Sequence, residues 1–314
     1  MKAIGHTEFG GPEVLHEVEL PDPVAGPGEV RIRVRAAAVS PTDTVRRAGI
    51  LAEQMRAEDR PYVPGMELAG VLEEIGPDTA TDLSVGDHVM GILTPRGSLG
   101  AYSEQVALPA ESVVRVPAGV DDVAASTLPM NGLTARMTLD KLELKPGQTI
   151  GVTGAAGTYG GYVVQLAKAE GLRVIADAAE KDRALVEELG ADTVVPRGDD
   201  VADRFLEAVP GGVDGLADGA VLNEKVIAAI RPGGRMVSVR YYEGEPVKGV
   251  TYHSVRVSHY VRERAKLDQL RELVEEGKLT LRVAGTYPAA QAAEAHRRLA
   301  LGGTRGRLVL IFGD

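Results

Sequence analysis

The 314-residue sequence contains no cysteine and no tryptophan, and only three phenylalanines. Without thiols the chain has no disulfide, no thiolate zinc site, no iron–sulfur ligands and no cysteine nucleophile. This absence is consistent with a reducing compartment. Because large aromatic residues are scarce, we expect the hydrophobic cores to be built mainly from Val, Leu, Ile and Ala.

Long apolar runs are missing as well. No segment approaches the ~20 consecutive apolar residues of a membrane-spanning helix, and the first residues, MKAIGHTEFGG, lack the apolar region of a signal peptide. The net charge of −10 disfavours binding to nucleic acids and to anionic membranes. Six histidines are scattered without the spacing of metal ligands, and we expect surface or packing roles for them. These absences predict a cytoplasmic, soluble protein whose partner is a small molecule and neither a nucleic acid nor a membrane.

The period of the apolar residues changes along the chain. Residues 1–118 alternate short strand-like runs with Gly and Pro turns, and in EVRIRVRAAAV apolar residues alternate with arginines, as in a half-buried strand. After residue 118, strand-like and helix-like segments alternate, a pattern that produces parallel βαβ units. Two amphipathic helices and the strand GRLVLIF end the chain. The sequence therefore predicts an α/β protein in which residues 1–118 and 259–314 form a barrel-like β domain. Residues 119–258 form a doubly wound, Rossmann-type domain inserted in it.

One glycine motif stands between a predicted strand and a predicted helix. In TIGVTGAAGTYGGYVVQLAK, Gly154, Gly157 and Gly160 recur every three residues. We expect Gly154 to let the strand turn, Gly157 to let backbone amides approach a ligand and Gly160 to allow close helix packing. The N-terminus of such a helix offers N–H groups and the positive end of its dipole to a pyrophosphate. The predicted dinucleotide-binding loop consists of Gly154, Ala155, Ala156, Gly157, Thr158, Tyr159 and Gly160.

The residues after the next predicted strand bear on which nicotinamide cofactor binds. An acidic residue about 20 positions after the glycines accepts a hydrogen bond from the ribose 2′-OH of NADH, and Asp177 has this position. Small residues with nearby cations instead favour the 2′-phosphate of NADPH. The small residues are Ala178 and Ala179, and the cations are Lys181, Arg183 and Arg197. We predict NADPH, and Asp177 leaves NADH open.

Several segments spread over the chain occur in combination. They are EVRIRVRAAAVSPTD, PYVPGMELAGVLEEIG, VGDHVMGI, LPMNGLTARMTL, KPGQTIGVTGAAGTYGGYVVQLAK, LGAD and AAEAHRRLALGGTRGRLVLIF. With them the chain resembles the medium-chain dehydrogenase/reductase superfamily, and within it the zinc-free quinone oxidoreductases of the ζ-crystallin-like branch. The resemblance implies a GroES-like β-barrel domain around the substrate and a Rossmann domain for NAD(P)H. It also implies hydride transfer in a cleft between these two domains.

The zinc positions of the superfamily are occupied differently in this chain. The resemblance places Ser40 and Met66 where alcohol dehydrogenases have Cys and His ligands, and Glu67 alone cannot make a tetrahedral site. We therefore expect no metal. Without a Lewis acid to stabilise an alkoxide, the accessible acceptors are those that delocalise the incoming charge, namely quinones and α,β-unsaturated carbonyls. The protein then contributes mainly proximity, orientation and hydrogen-bond donors.

The resemblance also implies roles for single residues. It places Ser40 beside the nicotinamide and the substrate, where many relatives have Asn, and Arg240 where relatives usually have Gly. The residues implied to contact the cofactor outside the glycine loop are Thr134, Ala179, Arg183, Arg197, Val239 and Tyr241.

Tyrosines are the candidate proton donors to an enolate, although a tyrosine often only packs with its hydroxyl at the surface. They are Tyr62, Tyr241 and Tyr242. No acid–base pair and no nucleophile triad is apparent. The catalytic residue is left unassigned, with Ser40, Tyr62 and Tyr241 as its candidates.

Two other functions are compatible with the sequence. An enoyl-thioester reductase needs a basic mouth for the phosphates of coenzyme A or a carrier. The four arginines available for it are Arg46, Arg47, Arg56 and Arg60. A cofactor-binding protein without turnover is the second alternative, since Ser40 and Arg240 depart from the family pattern. The resemblance further implies a homodimer built on an edge strand of the Rossmann sheet, for which we expect GRMVSVRYY, the last strand of the series.

Overall fold

A computed structural model describes residues 1–55, 58–245 and 247–313. The strands in these ranges are β1 (Lys2–Gly5), β2 (His16–Glu19), β3 (Glu29–Ala38), β4 (Glu67–Ile75), β5 (His88–Ile92), β6 (Gln105–Pro109), β7 (Val113–Arg115), β8 (Thr149–Thr153), β9 (Arg173–Ala178), β10 (Thr193–Pro196), β11 (Val213–Asp218), β12 (Ile230–Ser238), β13 (Thr251–Ser254), β14 (Val283–Pro288) and β15 (Arg307–Ile311). The helices are α1 (Pro41–Arg47), α2 (Ala52–Met55), α3 (Asp122–Ala125), α4 (Pro129–Leu142), α5 (Thr158–Ala169), α6 (Arg183–Glu188), α7 (Val201–Ala208), α8 (Glu224–Ile227), α9 (Arg264–Glu275) and α10 (Ala292–Ala300). Within the described ranges, none of these helices has the length and apolar character needed to cross a lipid bilayer.

The chain forms two compact units. The first consists of Met1–Met130, Val261–Glu275 and Leu281–Asp314, and the second of Asn131–Tyr260 and Glu276–Thr280. The boundaries expected from the sequence fall earlier, after residues 118 and 258. The segment that contains α3 belongs with the first unit because α3 packs on β3, β4 and β5.

The first unit is built around a mostly antiparallel sheet. Its strand order is β14-β15-β3-β4-β5-β7, and β6 also pairs with β3. In β3 the side chains of Val30, Ile32 and Val34 are buried, as their alternation predicts. On the other face, Arg33 pairs with Glu73 of β4 at 2.9 Å. The period of two in the sequence therefore reflects one core-facing side and one charged side of the strand.

The second unit contains a six-stranded parallel sheet with the order β10-β9-β8-β11-β12-β13. This is the order of the doubly wound dinucleotide-binding fold, so the α/β, Rossmann-type prediction is confirmed. The core contains Ile175, Phe205, Leu216 and Met236, all of them buried. In such a sheet the crevice for a ligand lies at the carboxyl ends of the strands, where the strand order reverses. Here that point lies between β8 and β11.

One local prediction in the second unit is wrong. The strand GRMVSVRYY is not at an edge, because β12 is flanked by β11 and by β13, and Arg235 of β12 pairs with Thr251. The edge strands of this sheet are β10 and β13.

Candidate functional site

The glycine loop follows β8 and ends where α5 begins. Gly154 has a φ of 69°, a left-handed conformation that turns the chain out of the strand. A Cβ at Gly160 would lie 2.4 Å from the carbonyl oxygen of Gly154, so the third glycine is required by the backbone of the loop itself. As at any helix start, the first N–H groups of α5 have no intrahelical acceptor. The loop therefore presents a helix N-terminus suited to a phosphate.

Tyr159 anchors the loop with its side chain. Its hydroxyl lies 2.8 Å from the hydroxyl of Thr138 on α4, and a Cβ at Gly219 would lie 2.9 Å from its ring. Burial raises the pKa of this phenol. Thr138 in turn donates to the carbonyl oxygen of Thr134 at 2.9 Å. Tyr159 and Thr134, both expected to contact the cofactor, are thus joined through Thr138 by hydrogen bonds that hold the loop against α4.

Asp177 faces the glycine loop. Its carboxylate accepts a hydrogen bond from the Gly154 N–H at 2.6 Å and a second from the backbone of Ala155, and the residue is 5% exposed. Burial is the main cause of a pKa raised above the usual value, and these two amides oppose it. Through these two hydrogen bonds Asp177 fixes the glycine loop to the end of β9. Ala178 and Ala179, the residues after it, leave space at the end of β9.

The three predicted cations differ in their contacts. The Arg183 guanidinium donates to the Val194 carbonyl oxygen at 2.9 Å and pairs with Glu187 at 3.5 Å. Arg197 and Lys181 are exposed, and within the described ranges neither side chain makes a hydrogen bond or an ion pair with another residue. The Arg197 backbone N–H donates to the Ala178 carbonyl oxygen at 2.9 Å, which fixes it beside the carboxyl end of β9. Arg197 and Lys181 are therefore better placed than Arg183 to meet a phosphate.

The loop after β12 carries the residues expected beside the nicotinamide. The Val239 N–H donates to the carbonyl oxygen of Asp218 at 3.3 Å, which places Val239 at the same edge of the sheet as the glycine loop. Arg240 is exposed and Tyr241 is 77% exposed, its hydroxyl bonded to Glu243. Tyr242 packs edge-on against Tyr252, with ring centroids 5.4 Å apart. The Tyr241 hydroxyl is therefore engaged with Glu243, and the Tyr242 ring with its neighbour Tyr252.

In the first unit, Ser40 begins α1 as its N-cap. It is completely buried, and its hydroxyl accepts from the Thr42 N–H at 3.4 Å. Met66, the residue that immediately precedes β4, is also buried.

Glu67 is completely buried as the first residue of β4. It accepts from the Met130 N–H at 2.8 Å and contacts the buried guanidinium of Arg307. Burial outweighs these partners and raises the pKa of Glu67 to about 7. Among the described residues there is no group of three or more His, Asp or Glu side chains that could hold a metal ion.

Tyr62 has a packing role. It is 3% exposed, its hydroxyl donates to the Met55 carbonyl oxygen at 3.3 Å, and its ring stacks on Phe9 with centroids 5.3 Å apart. It is therefore not placed to give a proton to a ligand.

The structure describes three of the four arginines considered for a basic mouth. Arg46 pairs with Glu58 at 3.0 Å, Arg47 is 7% exposed, and Arg60 lies over the Tyr62 ring at 5.8 Å. The fourth, Arg56, lies outside the described residues. The guanidiniums of Arg46 and Arg47 are used for contacts within the first unit, so these two do not offer free cations to a ligand phosphate.

Sequence reasoning missed a buried acid beside Ser40. The Asp43 carboxylate accepts from the Ser40 N–H at 2.8 Å, from the Gly65 N–H at 3.0 Å and from the Tyr102 hydroxyl at 3.3 Å. The Ser-x-x-Asp spacing of a capping box, in SPTD, is a signal for the first of these bonds. No local pattern indicates the other two.

The same network continues to a histidine. His296 on α10 lies 3.1 Å from the Tyr102 hydroxyl through Nε2 and 3.0 Å from the Arg47 guanidinium through Nδ1. Burial, followed by the nearby Arg47, lowers the pKa of His296 to about 3. This histidine was expected to pack or to lie at the surface, and instead it links two polar side chains.

Comparisons with known proteins agree with this architecture. Two family models match: an alcohol dehydrogenase GroES-like domain over residues 26–118 and a zinc-binding dehydrogenase over residues 189–310. A 2-haloacrylate reductase from Burkholderia sp is 34% identical over 336 residues, which cover 99% of this chain and 98% of the relative. A quinone oxidoreductase from Pseudomonas aeruginosa is 33% identical over 331 residues, which cover 99% of both chains. Among solved structures, a mycobacterial protein in complex with NADPH superposes with a TM-score of 0.85 at 28% identity, over 99% of this chain and 100% of its own. The name of the second family model includes zinc, and the absence of a metal from this chain stays a prediction.

Proposed function

Since this chain belongs to the medium-chain dehydrogenase/reductase superfamily, we propose that it is an NADPH-dependent oxidoreductase that reduces a quinone or an α,β-unsaturated carbonyl compound. The observation that carries the proposal is the glycine loop of the second unit, with a helix N-terminus, a left-handed Gly154 and the Asp177 carboxylate bound to its amides. The relatives named for quinone and haloacrylate reduction give the class of acceptor.

The residues present fit a dinucleotide. The pyrophosphate would be held by the amides at the start of α5, because a glycine at position 157 leaves the backbone uncovered there. The 2′-phosphate would be held by Arg197 and Lys181, with Ala178 and Ala179 leaving room for it. NADPH bound in this way supplies the hydride.

The side chains of this chain are suited to acceptors that need no metal. Ser40 and Met66 provide no zinc-ligand set, and Glu67 is bonded to Met130 and Arg307. An enolate or hydroquinone spreads the incoming charge over the acceptor itself. The protein's task is then to hold the acceptor and exclude water, so that orientation lowers the barrier.

The first experiment is the oxidation of NADPH and of NADH, followed by absorbance, with quinones, short enones and α,β-unsaturated carboxylates as acceptors. We expect saturable turnover with a lower KM for NADPH. Absence of turnover with every acceptor, together with tight NADPH binding, would support the binding-protein alternative and contradict the proposal.

The cofactor assignment is tested by charge removal. Arg197→Ala and Lys181→Ala should each raise the KM for NADPH about tenfold, the loss of one charge-assisted hydrogen bond, and leave NADH unchanged. Arg173→Ala is the matched control, because it removes an equal charge from the opposite, amino end of β9. Equal effects on NADPH and NADH would refute a 2′-phosphate site at these residues.

We also propose a homodimer. One of the two edge strands of the Rossmann sheet is β13, whose Thr251–Ser254 backbone pairs, among the described residues, on one side only, with β12. Unpaired edges in native proteins are usually covered or paired. Light scattering on the purified protein should give twice the monomer mass of 33.1 kDa. A monomer mass at all concentrations contradicts this proposal.

A further inference from the structure

The function proposed above assigns no role to a series of four ionisable side chains that are hydrogen-bonded to one another in the first unit. Asp43, Tyr102 and His296 are completely buried and Arg47 is 7% exposed. Burying such groups is unfavourable unless each finds a partner. The contacts among them should therefore have a defined order.

The direction of each hydrogen bond follows from the chemistry of the end groups. A guanidinium can only donate, so His296 Nδ1, 3.0 Å from Arg47, is the acceptor. A neutral imidazole then carries its proton on Nε2, which donates to the Tyr102 oxygen 3.1 Å away. The single hydroxyl proton of Tyr102 is then donated to the Asp43 carboxylate, 3.3 Å away. The tautomer of His296 is thereby fixed.

The far end of this chain of bonds is at Ser40. The same Asp43 carboxylate accepts the N–H of Ser40 at 2.8 Å and the N–H of Gly65 at 3.0 Å. One carboxylate thus joins the start of α1 to the loop before β4. Burial raises the pKa of Asp43, but all three recorded hydrogen bonds are donated to it, which favours the anion. The other charged or titratable groups near these residues include Arg307, Glu67, His6 and Glu13.

We propose that Arg47, His296, Tyr102 and Asp43 form a one-directional hydrogen-bond relay, the Asp43 relay, that positions Ser40 for the reaction. The inference rests on the proposed function in one respect, namely that the Ser40 segment belongs to the substrate site. Tyr102, His296 and Asp43 are positioning residues. The Tyr102 proton is already donated to Asp43, so Tyr102 is not the proton donor to the substrate.

The relay itself is tested without any assay of activity. In ¹⁵N NMR of the imidazole nitrogens, His296 should show the neutral Nε2–H form, assigned by the signal lost in His296→Gln. It should not titrate between pH 5 and 8, because burial and Arg47 lower its pKa to about 3. An Nδ1–H form, or titration near the ordinary value for histidine, overturns the relay.

The positioning role is tested by kinetics. Tyr102→Phe keeps the ring and removes only the hydroxyl, so kcat should fall about tenfold, since small displacements of reacting groups have effects of that size or larger. The KM for NADPH should not change, because the relay lies in the first unit and the glycine loop in the second. Tyr287→Phe is the matched control, a half-buried tyrosine packed on the core of the same unit, and should keep the wild-type kcat. A wild-type kcat for folded Tyr102→Phe overturns the positioning role.

A double variant shows whether the relay acts through Ser40. If it does, Tyr102→Phe should cause no further loss of kcat in a Ser40→Ala background. Additive losses overturn that step. Failure of the proposed function is distinguishable, because a wild-type protein that reduces no acceptor still reports the His296 tautomer.

Discussion

Two single substitutions, Gly160→Ala and Gly157→Ala, each add one methyl group to the glycine loop. Together they distinguish the packing of the loop from its binding of a phosphate. At Gly160 a Cβ would lie 2.4 Å from the Gly154 carbonyl oxygen and 2.8 Å from the Ala155 Cα. Both are backbone atoms that cannot rotate away. At Gly157 the nearest neighbour is the same carbonyl oxygen, at 3.2 Å. The first methyl therefore has no space, whereas the second has space but covers the helix N-terminus.

The magnitudes follow from these distances. Gly160→Ala should cost about 2–3 kcal/mol of overpacking, the upper part of the usual range because the clashing atoms are backbone, partly offset by the ~1 kcal/mol that Ala gains over Gly inside a helix. A net loss of about 1–2 kcal/mol should lower Tm by about 3–6 °C. Gly157 is the N-cap of α5 with φ −71°, where Gly→Ala has a small cost, about 0.5 kcal/mol. Its methyl should instead weaken NADPH binding about tenfold or more by keeping the phosphate from the amides.

Stability is measured by thermal unfolding under circular dichroism, and NADPH affinity by calorimetry, since the chain has no Trp to report binding. Gly313→Ala is the control, because a Cβ there meets nothing within 4 Å. A wild-type Tm for Gly160→Ala would refute the close approach of the loop. Wild-type NADPH affinity for Gly157→Ala would refute the placement of the phosphate at the start of α5.

Three more outcomes are expected. Asp177→Asn should change the Kd values of NADPH and NADH by the same factor in calorimetry, because the carboxylate binds loop amides; weakening of NADH alone would contradict this. Gly65→Ala should lower stability in urea by about 3 kcal/mol, combining overpacking with left-handed strain, because φ is 100° and a Cβ would lie 2.8 Å from the Tyr102 N; Gly28→Ala, with φ 78° and open space, should show the strain alone. Because burial raises the pKa of Glu67 from 4.5 to about 7, the folded state binds more protons than the unfolded state between these values. Stability should therefore fall as pH rises through this window, by at most ~3 kcal/mol. In this pH window the free energy of unfolding, measured by urea titration, should depend on pH more steeply in the wild type than in Glu67→Gln. An equal pH dependence in the two proteins would contradict the raised pKa of Glu67.

Much of the fold is readable from the sequence because its signals are short-range. The alternation in β3 identifies a half-buried strand, and the succession of strand and helix patterns around the glycine motif identifies the parallel sheet. The strand β13 is not readable, because Thr251–Ser254 is four residues long and has no period of its own. Its place beside β12 depends on pairing across the sheet, and missing it put the wrong strand at the edge.

The candidate site also has residues that are readable from the sequence and residues that are not. The residues of the glycine loop are found by their spacing. Asp43 was missed, although its bond to Ser40 is readable from the capping pattern. The rest of this network is not readable from the sequence, because Tyr102 is 59 residues from Asp43 and 194 residues from His296, and Arg47 is 249 residues from His296. Only the folded first unit brings these side chains together. Their burial, which sequence patterns do not report for single polar residues, is what makes their pairing necessary.

Asp177 marks the limit of a spacing rule. Asp177 follows the glycines by the number of residues expected of a ribose acceptor. Successive side chains of a strand point to opposite faces, so this number alone does not determine what the Asp177 side chain contacts. In β9 the side chain of Asp177 is directed at the Gly154 and Ala155 amides, where it serves the loop whichever dinucleotide binds. The residues proposed to tell the two cofactors apart are then those that would meet only the extra phosphate, Arg197 and Lys181. We infer that preference for NADPH depends on these cations, and that removing the acid alone does not reverse it.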